Sequence, residues 1–418
     1  MDPVLQMVFL IAFIIILGAL GEYIFERTSI PDMVWLVAAG IVAGPILDVI
    51  SPGMLQPVMP FFGAIALISI LAGGGLKLRI AEVTEAAPRA ITLGLVSFVF
   101  ALIGTCLFFF VTIKIGLVKP CGLLSWITIG AIMGGTSSLV VIPAMSGKTV
   151  DPRVARLLEL ESCVTDAVCM VVALSAIDLI VKGTFSLDYP LYAIAKAVLV
   201  AIIFGVIGAI AVSPLLAILR GRDHAYTVFL AGFLIIYGCI NLAGGNGALG
   251  VLVSALLIGN ASDVLKKLRI TRFKRSSYQY RPSDLVIHDH ISFFIKSFFF
   301  FMIGLMFPTS PRLILLGAAF AVMLLIFRWP AVKLSLWGAG MSRSQHSLAV
   351  VAIPRGMAAG VLSMVPMQRG MANAENLIPG VFAGIIFTIL LFTVGFALVQ
   401  RSAKTHNQKW PGPKVGSS

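Results

Sequence analysis

The sequence predicts an all-α polytopic membrane protein of about thirteen transmembrane helices, and three observations carry that prediction. The chain is 59% hydrophobic and only 12% charged, where a globular domain carries about 25% charged residues. Its mean hydropathy is +1.02, and a soluble chain of this length leaves too much surface in water to hide so many apolar residues. The apolar residues also fall in runs long enough to cross ~30 Å of hydrocarbon, which takes roughly 20 residues at ~1.5 Å each. Turn-like SIPD, SPGM, SGKTVDP, GGNG and PTSPR separate the runs. Strand-like stretches such as FFIKSFFFFMIGL are assigned to helix, because an open sheet edge cannot be satisfied in lipid.

In order, spans are expected over 4–21, 33–50, 58–76, 88–113, 123–145, 153–181, 190–219, 224–243, 247–262, 290–307, 312–337, 345–367 and 376–400. Residues 1–400 then form a single membrane unit, and 401–418 a short basic cytoplasmic tail expected to be disordered. Placing the N-terminus outside and the C-terminus inside puts most of the 31 Lys and Arg on the cytoplasmic side, as the positive-inside rule requires. The odd helix count agrees with that arrangement. The net charge of +13 is therefore mostly topological. The run KKLRITRFKRSSYQYR (266–281) reads as a cytoplasmic loop with attraction for anionic lipid, not as a nucleic-acid site. MDPVLQM lacks the basic region and small-residue cleavage site of a signal peptide. The five cysteines are scattered without metal-ligand spacing and read as small buried hydrophobes.

An ionisable residue at bilayer depth costs ~2.5–3.5 kcal/mol on insertion scales, so it needs a partner or a function. Glu161 and Asp166 fall near the centre of the sixth span, Arg328 near that of the eleventh, and Arg355 follows Pro354 in the twelfth. Lys296 and Glu22 lie nearer span ends, where snorkelling accounts for them. Helix geometry separates the two acids. Ser162 and Asp166 stack on one stripe, Glu161 and Thr165 on the next, and five residues at ~3.6 per turn set Glu161 and Asp166 roughly 140° apart. One acid can thus be neutralised by a fixed arginine, whose guanidinium binds carboxylate in a fork, while the other faces a water-filled cavity. Glu159, close to Arg153 and Arg156, reads as an end-of-helix charge.

Two spans look interrupted. The fifth, GAIMGGTSSLVVIP, places Gly134, Gly135, Thr136, Ser137, Ser138 and Pro143 in mid-membrane, and the twelfth, VVAIPRGMAAGVL, places Pro354, Arg355, Gly356 and Gly360 there. Proline removes a backbone donor and glycine removes rigidity, so both stretches are expected to unwind. If spans 1–6 and 8–13 are inverted repeats, each break lies in the fifth helix of its repeat. Paired broken helices of that kind point to a transporter's ion site.

These residues resemble the monovalent cation/proton antiporter superfamily, in particular its electroneutral sodium(potassium)/proton exchanger branch. The sixth-span motif of that branch runs Glu-Gly-Glu-Ser-x-x-Asn-Asp-Ala, and this chain has Glu159-Leu160-Glu161-Ser162-Cys163-Val164-Thr165-Asp166-Ala167. GEYIFERTSIPDMVWLVAAGIVAGP resembles the family's first two helices. FFFFMIGL, LLIFRWPAV and IPRGMAAGVLS resemble its tenth, eleventh and broken twelfth. The resemblance implies that Asp166 binds the ion and the proton, with Ser162, Thr136 and Thr165 completing the set around the cation. It implies a buried Glu161–Arg328 ion pair, and an Arg355 that holds the broken helix. It also implies a homodimer with dimerisation helices, an elevator-like core formed by about 88–181 and 312–400, and no cofactor. The chain departs from the family twice. Thr165 replaces an asparagine that tethers the helix, and Thr136-Ser137-Ser138 replaces Thr-Asp-Pro, closer to the potassium-efflux branch. The two adjacent aspartates and the lysine of electrogenic members are absent.

The chemistry follows from competition. Desolvation favours protonation of a carboxylate and a nearby cation opposes it. One acid that binds either H⁺ or Na⁺, K⁺ or Li⁺ therefore couples their fluxes one for one. The expected protein is a multi-pass prokaryotic inner-membrane antiporter serving pH homeostasis. A sodium-coupled organic-anion symporter or a cation channel is the alternative. An intramembrane hydrolase is excluded by the five histidines, which fall in loops or at span ends. His288-Asp289-His290 offers either a pH sensor or plain loop charges.

Overall fold

The computed structural model describes residues 3–28, 32–50, 59–77, 79–145, 150–182, 188–218, 225–261, 282–368, 370–371 and 377–405. The expectations for the 266–281 loop, for most of the tail, for SPGM and for part of SGKTVDP fall outside those residues, as do the side chains of His288 and Asp289.

The described residues form fifteen α-helices and no strand. They are α1 (Pro3–Thr28), α2 (Asp32–Ile41), α3 (Met59–Lys77), α4 (Ile80–Lys114), α5 (Leu123–Ile132), α6 (Ser138–Met145), α7 (Pro152–Lys182) and α8 (Asp188–Ile218). Then come α9 (Ala225–Leu242), α10 (Gly247–Gly259), α11 (Pro282–Leu305), α12 (Pro311–Ser335), α13 (Arg343–Val351), α14 (Met357–Gln368) and α15 (Leu377–Thr405). Each apolar run read from the sequence coincides with one helix, except the fifth and twelfth, which each coincide with two. α2 ends in a π-turn, Val42–Ile46, that absorbs Pro45.

Five helical stretches are long and apolar enough to cross a bilayer unaided: Val83–Lys114, Pro152–Val181, Ala195–Leu216, Pro311–Ser335 and Ile378–Ser402. Their outward faces carry exposed leucine, isoleucine and valine, such as Ile103, Ile210 and Val394. In water such faces would demand a partner, so lipid is their natural solvent.

Packing divides the helices into two neighbourhoods. In one, α4 packs on α7 and α12, and α12 on α15, around the short helices α5, α6, α13 and α14. In the other, α11 lies against α2 and α3, while α10 lies against α3 and α8. Small residues allow the closest approaches, as expected where packing replaces the hydrophobic effect between membrane helices. At the α2–α11 crossing a Cβ on Gly40 would lie 2.9 Å from the Cα of Gly304. A buried aromatic layer, Phe298 to Phe301, fills the α11 side.

Candidate functional site: the meeting of two interrupted helices

α5 stops at Ile132, and Met133 to Ser137 leave the helix before α6 begins. Gly134 and Gly135 have low helix propensity, and hydroxyl residues such as Thr136 and Ser137 compete for backbone groups, so the helix ends where the sequence weakens it. α13 starts on a capping box, Ser342 with Gln345. The Gln345 amide also donates to Asp151 Oδ2 at 2.5 Å, which ties α13 to the approach to α7. α13 ends at Val351, Ala352 closes its last turn on the Leu348 carbonyl, and Ile353 to Gly356 run outside any helix into α14. Pro354 has no N–H to continue a helix.

The two breaks meet. The Ser137 N–H donates to the Pro354 carbonyl at 2.9 Å, joining unwound backbone from both interrupted helices. Gly356 is required at that contact, because a Cβ there would overlap Ser137 Oγ. Gly135 also approaches α7 closely, and a Cβ on it would fall 2.9 Å from Cys169 Sγ.

α7 runs beside this meeting point. Thr136 Oγ1 and Ser162 Oγ are 2.9 Å apart, and both residues are buried. Asp166 lies one turn further along the Ser162 stripe and is 9% exposed. No hydrogen bond or ion pair from another described residue reaches its carboxylate. Arg355 is buried within electrostatic range of Asp166, and its Nε and Nη1 find no hydrogen-bond partner among the described residues.

Glu161, on the other face of α7, forms a two-pronged ion pair with Arg328 of α12. Arg328 Nη1 donates to Oε1 and Nη2 to Oε2, the latter at 2.8 Å. The third guanidinium nitrogen of Arg328, Nε, reaches the Ala349 carbonyl of α13 at 3.1 Å. The guanidinium is thus spent on two partners and fixes α13 against α7.

Thr165 resolves the first departure from the family motif. Its hydroxyl accepts the Thr136 N–H at 3.3 Å and donates to the Ser162 carbonyl at 3.1 Å. A hydroxyl therefore supplies a tether where an asparagine amide was expected. The second break carries the same device. Thr388 of α15 accepts the Arg355 N–H at 3.0 Å and donates to the Ile385 carbonyl at 2.7 Å. Sequence reading passed over Thr388, although a lone hydroxyl in the apolar run GIIFTILLF was a usable signal.

Glu159 differs from its reading as an end-of-helix charge. It is buried, 6% exposed, and its Oε1 has no hydrogen-bond partner among the described residues. Its nearness in sequence to Arg153 and Arg156 was a poorer guide than its register, although the Arg156 charge does reach it. Seven residues before Asp166, it lies on nearly the same face of α7.

A pair of interrupted helices meeting beside a nearly buried acid, in an apolar helical bundle, defines a membrane transporter built on discontinuous helices. The family described as sodium/hydrogen exchanger, transmembrane, matches residues 9–400, and the chain belongs to that family. Among its relatives is Na(+)/H(+) antiporter 1 of Methanocaldococcus jannaschii, 25% identical over 87% of this chain and 84% of its own length. K(+)/H(+) antiporter NhaP2 of Shewanella sp. (strain ANA-3) is 27% identical over 93% of this chain, which spans 65% of that relative's length. In three dimensions the chain is similar to the sodium proton antiporter MjNhaP1 from Methanocaldococcus jannaschii, with a TM-score of 0.71 at 21% identity. The likeness covers 96% of this chain and 99% of the other. It is a likeness of fold.

Proposed function

We propose that the chain exchanges a monovalent cation, Na⁺, K⁺ or Li⁺, for a proton in a 1:1 electroneutral cycle. The observation that carries this reading is Asp166, nearly buried beside a hydroxyl pair and the unwound backbone, with no partner on its carboxylate among the described residues. A carboxylate so placed gains either a proton or a cation, because burial disfavours the bare charge. Ser162 and Thr136 supply hard oxygen ligands of the kind such cations prefer. Thr165, with its hydroxyl bonded to two backbone groups, shapes this set more than it ligates. Either occupant leaves Asp166 near neutral, and that is the state that crosses between the two sides.

Glu161 and Arg328 neutralise each other throughout, as fixed structure. Thirteen crossings, with α1–α7 and α9–α15 as inverted repeats, account for the breaks. The matched threonine tethers on α7 and α15, the last helix of each proposed repeat, support that symmetry. The core about 88–181 and 312–400 would move as an elevator against dimerisation helices of a homodimer. The N-terminus would lie outside and the C-terminus in the cytoplasm of a prokaryotic inner membrane, where exchange serves pH homeostasis. Relatives named for both sodium and potassium fit the hydroxyl-rich first break without choosing between the ions.

Proteoliposomes loaded with a pH dye test the reading. Addition of Na⁺ or K⁺ should move protons without a current, and Asp166→Asn should abolish the signal while the protein elutes and melts like wild type. Retained cation-driven proton flux in Asp166→Asn would remove Asp166 from the site. A current that reverses with membrane potential would overturn the 1:1 stoichiometry.

A further inference from the structure

We propose that the groove between α12, α13 and α15 binds an anionic phospholipid, with its phosphate on Lys333 and His346 and an acyl chain along the groove. The groove is a cavity of about 390 Å³, and residues from all three helices line it. Its walls are apolar, with Val332, Val350 and Leu398 among them, while Lys333, His346 and Ser347 form its polar part. Among the described residues, no aspartate or glutamate lines it. The Lys333 charge therefore has no acidic neighbour among the described groove residues to offset it.

The groove opens where lipid lies. Trp329 and Leu398 line it and are 58% and 59% exposed. Tryptophan with lysine at a helix end marks the level of the headgroups. Lys333 Nζ sits 5.2 Å from the centre of the Trp329 ring, which holds the ammonium at that level. His346 Nδ1 faces the Ser342 carbonyl at 3.3 Å, which leaves Nε2 as the ring atom for a second partner. A glycine forms part of the groove wall where α13 and α15 meet. A Cβ on Gly395 would come within 2.7 Å of Val351, so the two helices approach that closely only because the side chain is missing. An anionic headgroup matches the cationic end, a hydrocarbon chain matches the walls, and a zwitterionic lipid satisfies only the walls. The occupant would brace α13, the short helix that leads into the second break.

Native mass spectrometry of the full chain, released from neutral detergent, tests this with phosphatidylglycerol and phosphatidylcholine of identical chains. Wild type should retain phosphatidylglycerol preferentially. Lys333→Gln with His346→Gln should erase the preference, weakening phosphatidylglycerol roughly fivefold for the lysine alone, without changing the melting temperature. Leu398→Trp, which fills the groove from an exposed position, should lower retention of both lipids. Equal retention of the two lipids by wild type would overturn the proposal. So would an undiminished preference in the double variant, undiminished retention in Leu398→Trp, or displacement of the lipid by millimolar inorganic phosphate, which would mean a free-anion site.

Discussion

The two interrupted helices use the same fastening for different cargo. In each, a threonine on the neighbouring long helix accepts one N–H from the unwound stretch and returns its own proton to a carbonyl three residues earlier. Thr165 does this for Thr136, and Thr388 for Arg355. What the breaks present is unlike. The first offers glycines and hydroxyls, a surface of oxygen dipoles without charge. The second offers a proline carbonyl and a buried arginine, and its lead-in helix is held by the Glu161–Arg328 pair through Ala349. Ligands that must be released belong on dipoles. A fixed positive charge is better kept on a frame that cannot drift, because a buried ion's energy depends steeply on its distance from its counter-charge.

The strongest way to break this comparison is at the ion pair, which has no counterpart at the first break. Glu161→Gln leaves Arg328 buried without its carboxylate and should cost ~3–5 kcal/mol, read as a large drop in melting temperature. Adding Arg328→Gln should recover part of that loss. No recovery would mean that the frame depends on each residue separately. Next come the tethers. Thr165→Val and Thr388→Val each strand a buried N–H, for ~1–3 kcal/mol, and a break that shifts by ~1 Å could slow exchange by about 100-fold. Serine at either position should restore function. Equal losses at the two sites would sharpen the parallel, and a loss at only one would break it. The smallest effect is expected for Ser137→Ala, since Ser137 holds the second break through its backbone N–H. Its stability should stay within ~0.5 kcal/mol and its exchange rate should be nearly unchanged in the same dye assay.

Much of the site was legible in the sequence because membrane depth makes polar residues conspicuous. Glu161, Asp166, Arg328 and Arg355 stood out as charges in apolar runs, and the breaks stood out through glycine, proline and clustered hydroxyls. Less legible were features that depend on register or on a partner far along the chain. Glu159 was assigned by its neighbours in sequence, but two helical turns place it on the Asp166 side of α7 and bury it. Thr165 looked like a loss against the family's asparagine. Its worth depends on Thr136, 29 residues away, coming close enough for a hydroxyl to reach.

By itself, then, the sequence determined the all-helical class, the order of the helices, the places where two of them fail and the charges that need an explanation. Those features follow from local propensity and from the cost of polar groups in hydrocarbon, and both are read residue by residue. Only the tertiary structure decided which acid is paired and which is left without a partner among the described residues, that the two breaks touch through Ser137 and Pro354, and that Thr388 answers Thr165. Hydrogen bonds and ion pairs act over about 3 Å. Which of many distant groups come within that range is settled by how the helices pack.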